Sequence, residues 1–214
     1  MPDGTEINSI LEVGCATGDL LASFPTGSDS TDRTGLDISE NNITEARSRY
    51  PDIHFFALPF EEFVRQEPGV FDLIILSDIL EHVPDDAGML RLAGQNARYV
   101  LLNLPLEKCY EFRDREYGPN DFRGHLRAYN AQDARKLVTD ANLKEERSIL
   151  RHYVTQSAFR RYLWHKLVEH QKGLKRWKGG FRYVFEILEI CLRKKRYKQN
   201  YFALLRSDIN AGDG

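Results

Sequence analysis

Short apolar runs alternate with helical patterns through the first 150 residues, and this alternation restricts the possible folds more than any other feature of the sequence. The clearest run, residues 71–77, is nearly all apolar, as expected of a central strand that is covered on both faces. Strands that alternate with helices form βαβ units and a parallel sheet. We predict strands over residues 9–13, 33–37, 53–57, 71–77, 99–104, 145–153 and 201–205, and helices over 19–24, 40–49, 60–65, 85–98 and 130–141.

Length and composition set the scale of the fold. The chain has 214 residues and 42% hydrophobic side chains, which suits one α/β domain over residues 1–214 with a sizeable core. The first residues show neither the basic nor the apolar stretch of a secretory signal, and no window reaches the roughly 18 apolar residues of a membrane span. The three cysteines are widely spaced and include no CxxC pattern, so we expect a cytoplasmic protein without disulfides.

The segment ILEVGCATGDLL, residues 10–21, predicts a strand, a glycine loop and the start of a helix. Glycine lets the backbone approach a ligand closely, and a helix N-terminus offers N–H groups that have no partner within the helix. Asp37 follows the next predicted strand, where a carboxylate can accept hydrogen bonds from ribose hydroxyls. Each feature alone has a structural alternative: a tight turn for the loop, and a helix cap for Asp37, although Ser39 competes for the cap. Together they predict a nucleoside-binding site.

The same loop distinguishes between two nucleoside cofactors. The dinucleotide fingerprint GxGxxG requires a third glycine, and Asp19 occupies that position. A carboxylate is unfavourable beside a pyrophosphate but acceptable beside a cofactor that has no phosphate. The sequence therefore favours S-adenosylmethionine over NAD, and an NAD-linked oxidoreductase is the less favoured interpretation.

Four segments in order, EVGCATGDLL, GLDIS, FDLIILSDILEHVPD and YVLLNLP, resemble the successive motifs of class I S-adenosylmethionine-dependent methyltransferases. The EHVPD ending and the later segment GHLRAYNAQDARKLVTDANL resemble the branch that includes the ubiquinone-biosynthesis O-methyltransferases. The resemblance covers roughly residues 7–150 and the last strand. It implies a doubly wound α/β fold with a seven-stranded, mostly parallel sheet and an antiparallel last strand.

Carried over residue by residue, the resemblance implies a cofactor site made of Glu12, Gly14, Ala16, Gly18, Asp37, Ile38, Leu58, Ser77 and Asp78. In this site the glycine loop lines the methionine and ribose portion, Asp37 holds the ribose hydroxyls, Ile38 packs on adenine, and the end of the fourth strand faces the methionine. Many relatives have an acidic residue after the third strand that binds the adenine amine, whereas residues 56–59 of this chain read FALP. We therefore expect backbone groups and Leu58 to hold the adenine.

Two acidic residues and two histidines form a second candidate group. Asp78 and Glu81 are three residues apart, so they share a face on a helical turn, and His82 and His125 add imidazoles. A similar arrangement binds magnesium in the small-RNA 3′-terminal 2′-O-methyltransferases. This resemblance implies a divalent metal on Asp78, Glu81, His82 and His125 that lowers the pKa of a substrate hydroxyl. Without a metal, His82 or His125 is a candidate general base, and a structural alternative is that Glu81 and His82 brace the loop.

Residues 157–198 interrupt the alternation. Residues 151–198 contain 14 Lys and Arg but only three acidic residues, although the net charge of the chain is −2. The segment is also rich in aromatic side chains, namely Phe159, Tyr162, Trp164, Trp177, Phe181, Tyr183, Phe185 and Tyr197. We predict a basic helical insertion between the sixth and seventh strands. It is interpreted as a lid with a solvated basic face, as a peripheral contact with an anionic membrane, or as a nucleic-acid surface, which no stacking motif supports.

The function predicted from these features is transfer of a methyl group from S-adenosylmethionine to an oxygen, or in second place a nitrogen, of a small molecule or glycan. The alternative is a non-catalytic methyltransferase-like module that binds an anionic partner or membrane through residues 157–198. The glycine loop and Asp37 favour the enzyme, because a module without a cofactor needs neither.

Overall fold

A computed structural model describes residues 5–24, 31–109, 112–152 and 199–207. The strands are β1 (Ser9–Val13), β2 (Asp32–Leu36), β3 (His54–Phe56), β4 (Phe71–Ser77), β5 (Ala97–Leu106), β6 (Leu143–His152) and β7 (Gln199–Ser207). The helices are α1 (Asp19–Ser23), α2 (Glu40–Arg49), α3 (Phe60–Gln66), α4 (Asp86–Gln95) and α5 (Ala131–Asp140). The strands and helices predicted within these ranges are all present: β1, β4 and α2 have the predicted ends, and the ends of the others are shifted.

The seven strands form one sheet in the order β3-β2-β1-β4-β5-β7-β6. The pairs among β1 to β5 are all parallel, whereas β7 runs antiparallel to both of its neighbours, β5 and β6. This confirms the predicted fold class. Strands β2 and β3 are added on one side of β1, and β4 and β5 follow on its other side, so the order of strand addition reverses between β1 and β4. In such sheets, ligands bind at this point, in the crevice outside the carboxyl ends of the strands.

Apolar side chains cover both faces of the sheet. Strand β4 shows this most directly, because Ile74 and Leu76 belong to one core cluster while Leu73 and Ile75 belong to the other. Successive side chains of a strand point to opposite faces, so each cluster lies on its own side of the sheet. The cluster with Ile74 includes residues of α3, α4 and α5, and the other cluster includes residues of α1 and α2. The prediction of a central strand covered on both faces is confirmed.

Two predicted helix starts are confirmed by their caps. The hydroxyl of Ser39 accepts a hydrogen bond from the backbone N–H of Asn42, and the side chain of Asn130 begins α5 in a capping box with Asp133. The predicted end of the fourth helix was wrong: α4 ends at Gln95 rather than near residue 98. Its last predicted residues belong to β5 instead, because Ala97 pairs with Phe71 in the β4–β5 ladder.

The predicted basic insertion, residues 157–198, lies outside the described residues, and the strands on either side of it are β6 and β7. The single domain over residues 1–214 and the helical lid therefore stay predictions. Among the described residues, Cys15 and Cys109 are free thiols. None of the helices described is both long enough and apolar enough to cross a membrane.

Candidate active site

The glycine loop connects β1 to α1 and is tied to the neighbouring strand β2. The backbone N–H groups of Gly14 and Cys15 both donate to the carbonyl oxygen of Leu36, at 2.7 and 2.8 Å. Gly14 and Gly18 have φ angles of +76° and +81°. A Cβ atom on Gly14 would lie 2.9 Å from a side-chain carbon of Ile79, and one on Gly18 would lie 2.6 Å from the Phe55 ring. The backbone conformation therefore favours glycine at both positions, and at Gly18 the rigid Phe55 ring also leaves no space for a side chain.

Asp37 lies directly beside this loop, as predicted for a residue that completes a nucleoside site. One oxygen of its carboxylate accepts a hydrogen bond from the backbone N–H of Ala16 at 3.0 Å. The other accepts from the backbone N–H of Ser39 at 2.8 Å and from the side-chain amide of Asn42 at 3.3 Å. Because Ser39 caps α2, Asp37 is not needed as the cap. The loop and the carboxylate thus form one preorganised unit at the carboxyl ends of β1 and β2.

An apolar surface adjoins Asp37. The next residue, Ile38, is 81% exposed, which is unusual for a large aliphatic side chain and suits a position that packs on a planar base. The carbonyl oxygen of Phe56 accepts the backbone N–H of Asp37 at 3.3 Å, so the end of β3 lies alongside. Leu58, two residues further on, is half-buried. These positions agree with the predicted adenine pocket, whose binding role stays a prediction.

Glu12 is a buried acid in β1, two residues before the loop. It is 3% exposed, and its Oε2 atom has no hydrogen-bond partner within the described part of the chain. Burial raises the pKa of its carboxyl from 4.5 to about 7, although a hydrogen bond with the backbone of Leu21 acts in the opposite direction. With this pKa, the Glu12 carboxyl changes charge near neutral pH, two residues before the glycine loop.

Asp19 has a structural role at the start of α1. Its carboxylate accepts two hydrogen bonds from Arg49, at 2.5 and 2.8 Å, one from the Tyr50 hydroxyl at 2.8 Å and one from Thr17 at 2.6 Å. These bonds, led by those of Arg49, hold the pKa of Asp19 well below its usual range. Because Arg49 offsets the charge of Asp19, this residue discriminates less against a pyrophosphate than the sequence alone indicates.

At the end of β4, Asp78 adopts a φ of +52°, a left-handed conformation that costs a non-glycine residue energy and is common at functional sites. The side-chain amide of Asn103 donates to the Asp78 carboxylate at 2.7 Å and to the Ser77 hydroxyl at 3.0 Å. The side-chain amide of Asn200 in turn donates to the side-chain oxygen Oδ1 of Asn103 at 2.7 Å. Neither asparagine was predicted; the one available signal in the sequence is the polar Asn103 within the apolar run YVLLNLP.

Three of the four predicted metal ligands come together. One ligand atom each of Glu81, His82 and His125 lie within 4.8 Å of one another, and the two imidazole rings meet edge to face with 4.7 Å between centroids. Glu81 is 1% exposed. Asp78 is not part of this group, and its carboxylate contacts Asn103 instead. The group formed by Glu81, His82 and His125 is called the histidine cluster below.

His125 is buried, and burial is the main reason that its pKa is lowered, with Arg115 and His82 acting in the same direction and Glu107 against it. Its Nδ1 atom lies 2.9 Å from a carboxylate oxygen of Glu107. The other histidine, His82, has its Nδ1 atom 3.1 Å from the carbonyl oxygen of Gly124. Glu107 was not predicted, because nothing in the sequence shows that the end of β5 faces this loop.

Comparison with known proteins agrees with this geometry. Residues 3–148 match a family described as a methyltransferase domain. The ubiquinone biosynthesis O-methyltransferase of Bordetella parapertussis is 31% identical over 93 residues, which cover 42% of this chain and 38% of that protein. That of Acinetobacter baylyi is 29% identical over 87 residues, which cover 38% of this chain and 36% of that protein. The chain thus matches less than two fifths of the length of these relatives.

Solved structures share the fold at low sequence identity. A SAM-dependent methyltransferase from Archaeoglobus fulgidus superposes with a TM-score of 0.62 at 14% identity, covering 94% of this chain and 86% of that one. The O-methyltransferase of a trans-AT PKS multienzyme from Brevibacillus brevis, in complex with S-adenosyl-L-homocysteine, gives a TM-score of 0.58 at 13% identity, covering 94% and 67%. Together with the sheet order, these structures show that the chain has the fold of class I S-adenosylmethionine-dependent methyltransferases, and the match over residues 3–148 places it in the methyltransferase domain family.

Proposed function

We propose that the protein transfers the methyl group of S-adenosylmethionine to a hydroxyl oxygen of a small molecule. The observation that carries the proposal is the placement of two preorganised groups around the end of β4: the glycine loop joined to Asp37, and the histidine cluster. When bound, the cofactor would supply an electrophilic methyl group on a sulfonium sulfur: the acceptor oxygen would bond to the methyl carbon, and the carbon–sulfur bond would break to release S-adenosylhomocysteine. The residues proposed to hold it are Glu12, Gly14, Ala16, Gly18, Asp37, Ile38, Leu58, Ser77 and Asp78.

The fit of the chain to this cofactor rests on three features. The positive φ angles and the close approach of Ile79 and Phe55 give the loop a shape that only small residues adopt. Asp37 presents an ionisable carboxylate beside the loop, which suits vicinal hydroxyls. Ile38 adds an exposed apolar side chain where a base would pack.

The histidine cluster supports oxygen as the methyl acceptor. A lowered pKa keeps His125 neutral at neutral pH, so its imidazole can accept a proton. A phenol-type hydroxyl, with a pKa of about 10 as in tyrosine, is within reach of such a base, whereas a sugar hydroxyl is far less acidic. The curated relatives are named O-methyltransferases, which also supports oxygen over nitrogen. We therefore favour an acidic hydroxyl on a small molecule over a glycan.

A divalent metal is the alternative to a general base at the same place. One carboxylate and two imidazoles form a mixed oxygen and nitrogen donor set, which suits manganese, iron or zinc and is less suited to magnesium. A metal held by Glu81, His82 and His125 would lower the pKa of a bound hydroxyl and extend the reaction to weaker acids. Asp78 would join this set of ligands only if its carboxylate gave up the hydrogen bond that it accepts from Asn103.

Calorimetry followed by an activity assay tests the proposal. S-adenosylmethionine and S-adenosylhomocysteine are titrated into the protein and into its Asp37→Asn variant, and weaker binding to the variant is expected. Transfer of radioactive methyl from the cofactor is then measured with phenols, aliphatic alcohols and amines, each with EDTA and with added manganese. Turnover of phenols alone in EDTA supports the general base, while turnover that depends on manganese supports the metal. Absence of binding by either cofactor form at millimolar concentration contradicts the proposal.

The second function considered, a non-catalytic module that binds through residues 157–198, gains no support. The family match is to a methyltransferase domain, and the residues on which the module depends lie outside those described. Peripheral membrane contact and a cytoplasmic location stay predictions.

A further inference from the structure

We propose that Glu107 is a positioning residue: it fixes the tautomer of His125, so that the proton lies on Nδ1 and the ring acts through Nε2 toward Glu81 and His82. This inference rests on the proposed function, because it assigns a task to the histidine cluster. Glu107 itself does not touch the predicted acceptor and acts only through His125.

The contact between the two side chains carries the argument. Glu107 ends a buried stretch of the chain after β5 and is 1% exposed, and its Oε2 atom lies 2.9 Å from Nδ1 of His125. An ionised carboxylate can accept hydrogen bonds but cannot donate them, so the hydrogen between these two atoms belongs to the imidazole. When the ring is neutral, Nε2 then carries a lone pair.

An ion pair with Arg115 favours the ionised form of the Glu107 carboxylate. Nη1 of Arg115 lies 2.7 Å from the same Oε2 atom, and the Arg115 side chain is only 9% exposed. A buried carboxylate without such a partner would favour its neutral form, which could donate a proton and would no longer dictate the tautomer. The Tyr117 hydroxyl, 3.4 Å from Oε2, is a further polar neighbour.

The same arginine also fixes the backbone of His125. Two nitrogens of Arg115 bind the Asp121 carboxylate at 2.8 and 2.6 Å, and Asp121 accepts the backbone N–H of His125 at 2.9 Å. Glu107, Arg115, Asp121 and His125 thus form a closed ring of bonds that holds both the main chain and the imidazole of one residue. Buried ion pairs add little net stability compared with apolar packing. We therefore assign this ring the role of orienting His125 rather than of stabilising the fold.

The first experiment observes the tautomer directly. Protein labelled with ¹⁵N-histidine is studied by long-range ¹H–¹⁵N NMR, in which protonated and bare ring nitrogens have well-separated shifts, and the His125→Gln variant assigns the signals. We expect His125 of the unaltered protein to show protonated Nδ1 and bare Nε2 near neutral pH. A neutral His125 that carries its proton on Nε2 overturns the proposal.

The second experiment removes the charge of Glu107 and keeps its shape. Glu107→Gln is compared with Glu116→Gln, a matched change at an exposed glutamate of the same loop, and with Glu107→Asp, which retains the carboxylate. In Glu107→Gln we expect a mixture of tautomers and a fall in kcat of about 10- to 100-fold, the usual effect of losing a carboxylate that orients a histidine. The affinity for S-adenosylmethionine is expected to stay within about twofold, and Glu107→Asp is expected to recover part of the rate.

The outcomes separate this inference from the proposed function. If no hydroxyl acceptor is turned over by the unaltered protein, the proposed function fails, but the NMR spectrum still shows whether Glu107 sets the tautomer. If the unaltered protein is active and Glu107→Gln matches Glu116→Gln in kcat and in its His125 signals, Glu107 has no positioning role. Loss of S-adenosylmethionine binding by Glu107→Gln would show a structural role instead.

Discussion

Replacing Glu12 by glutamine is expected to remove a pH-dependent loss of stability. Burial raises the pKa of the Glu12 carboxyl from 4.5 to about 7, so the folded state holds its proton over a range in which the unfolded state has released it. A raised carboxyl pKa means that the folded protein binds more protons between these two values, and the free energy of unfolding therefore falls as pH rises through that window. Integrated from about pH 5 to about pH 8, the loss is about 2.5 kcal/mol.

Urea unfolding of the cofactor-free protein at several pH values measures this effect. The Glu12→Gln variant should gain stability relative to the unaltered protein by about 2.5 kcal/mol over that range, because glutamine cannot ionise. Taking the difference between the two proteins removes the contributions of other titrating groups. Glu116→Gln, at an exposed position, should show no such trend. A difference between Glu12→Gln and the unaltered protein that stays constant with pH would refute the assigned burial and pKa of Glu12.

Four further changes test the site. Gly18→Ala should lower stability by about 1–3 kcal/mol, measured by thermal unfolding, because its φ is +81° and its Cβ would meet the Phe55 ring at 2.6 Å; an unchanged Tm would contradict this. Asp37→Asn should weaken S-adenosylmethionine binding on the order of 10- to 100-fold in calorimetry, through loss of charged hydrogen bonds. Asn103→Leu should weaken the same binding about tenfold, because the Asp78 carboxylate loses its 2.7 Å donor; equal affinity would show that Asp78 needs no support. His125→Gln should lower kcat by about 10²- to 10⁴-fold without changing cofactor affinity, and a rate near that of the unaltered protein would exclude it as the base.

The sequence predicts those features that depend on local chemistry. Gly14 and Gly18 have positive φ angles, which glycine adopts without strain, so the spacing of glycines at residues 14–18 directly predicts the loop conformation. Asp37 follows because the carboxyl ends of adjacent parallel strands meet at one edge, which brings it to the loop. The caps at Ser39 and Asn130 are local in the same way.

Features that depend on contacts distant in the sequence were not predictable. Asn200 supports Asn103 across 97 residues, and that contact exists only because β7 inserts beside β5. Glu107 meets His125 only after the intervening loop folds back, with Gly118 N–H donating to the His125 carbonyl at 2.9 Å. The separation of Asp78 from the histidine cluster has the same origin, because the competing partner, Asn103, comes from another strand.

The position of β7 has a consequence for how the protein is made. Both neighbours of β7 precede it in the chain, so during synthesis β5 and β6 exist before the strand that joins them. Until Gln199–Ser207 emerges from the ribosome, the unpaired edge of β5 presents backbone groups and apolar side chains to other chains, and residues 153–198 prolong that interval. We therefore expect nascent or truncated chains that end before residue 199 to aggregate or to require a chaperone, however well their first strands have folded.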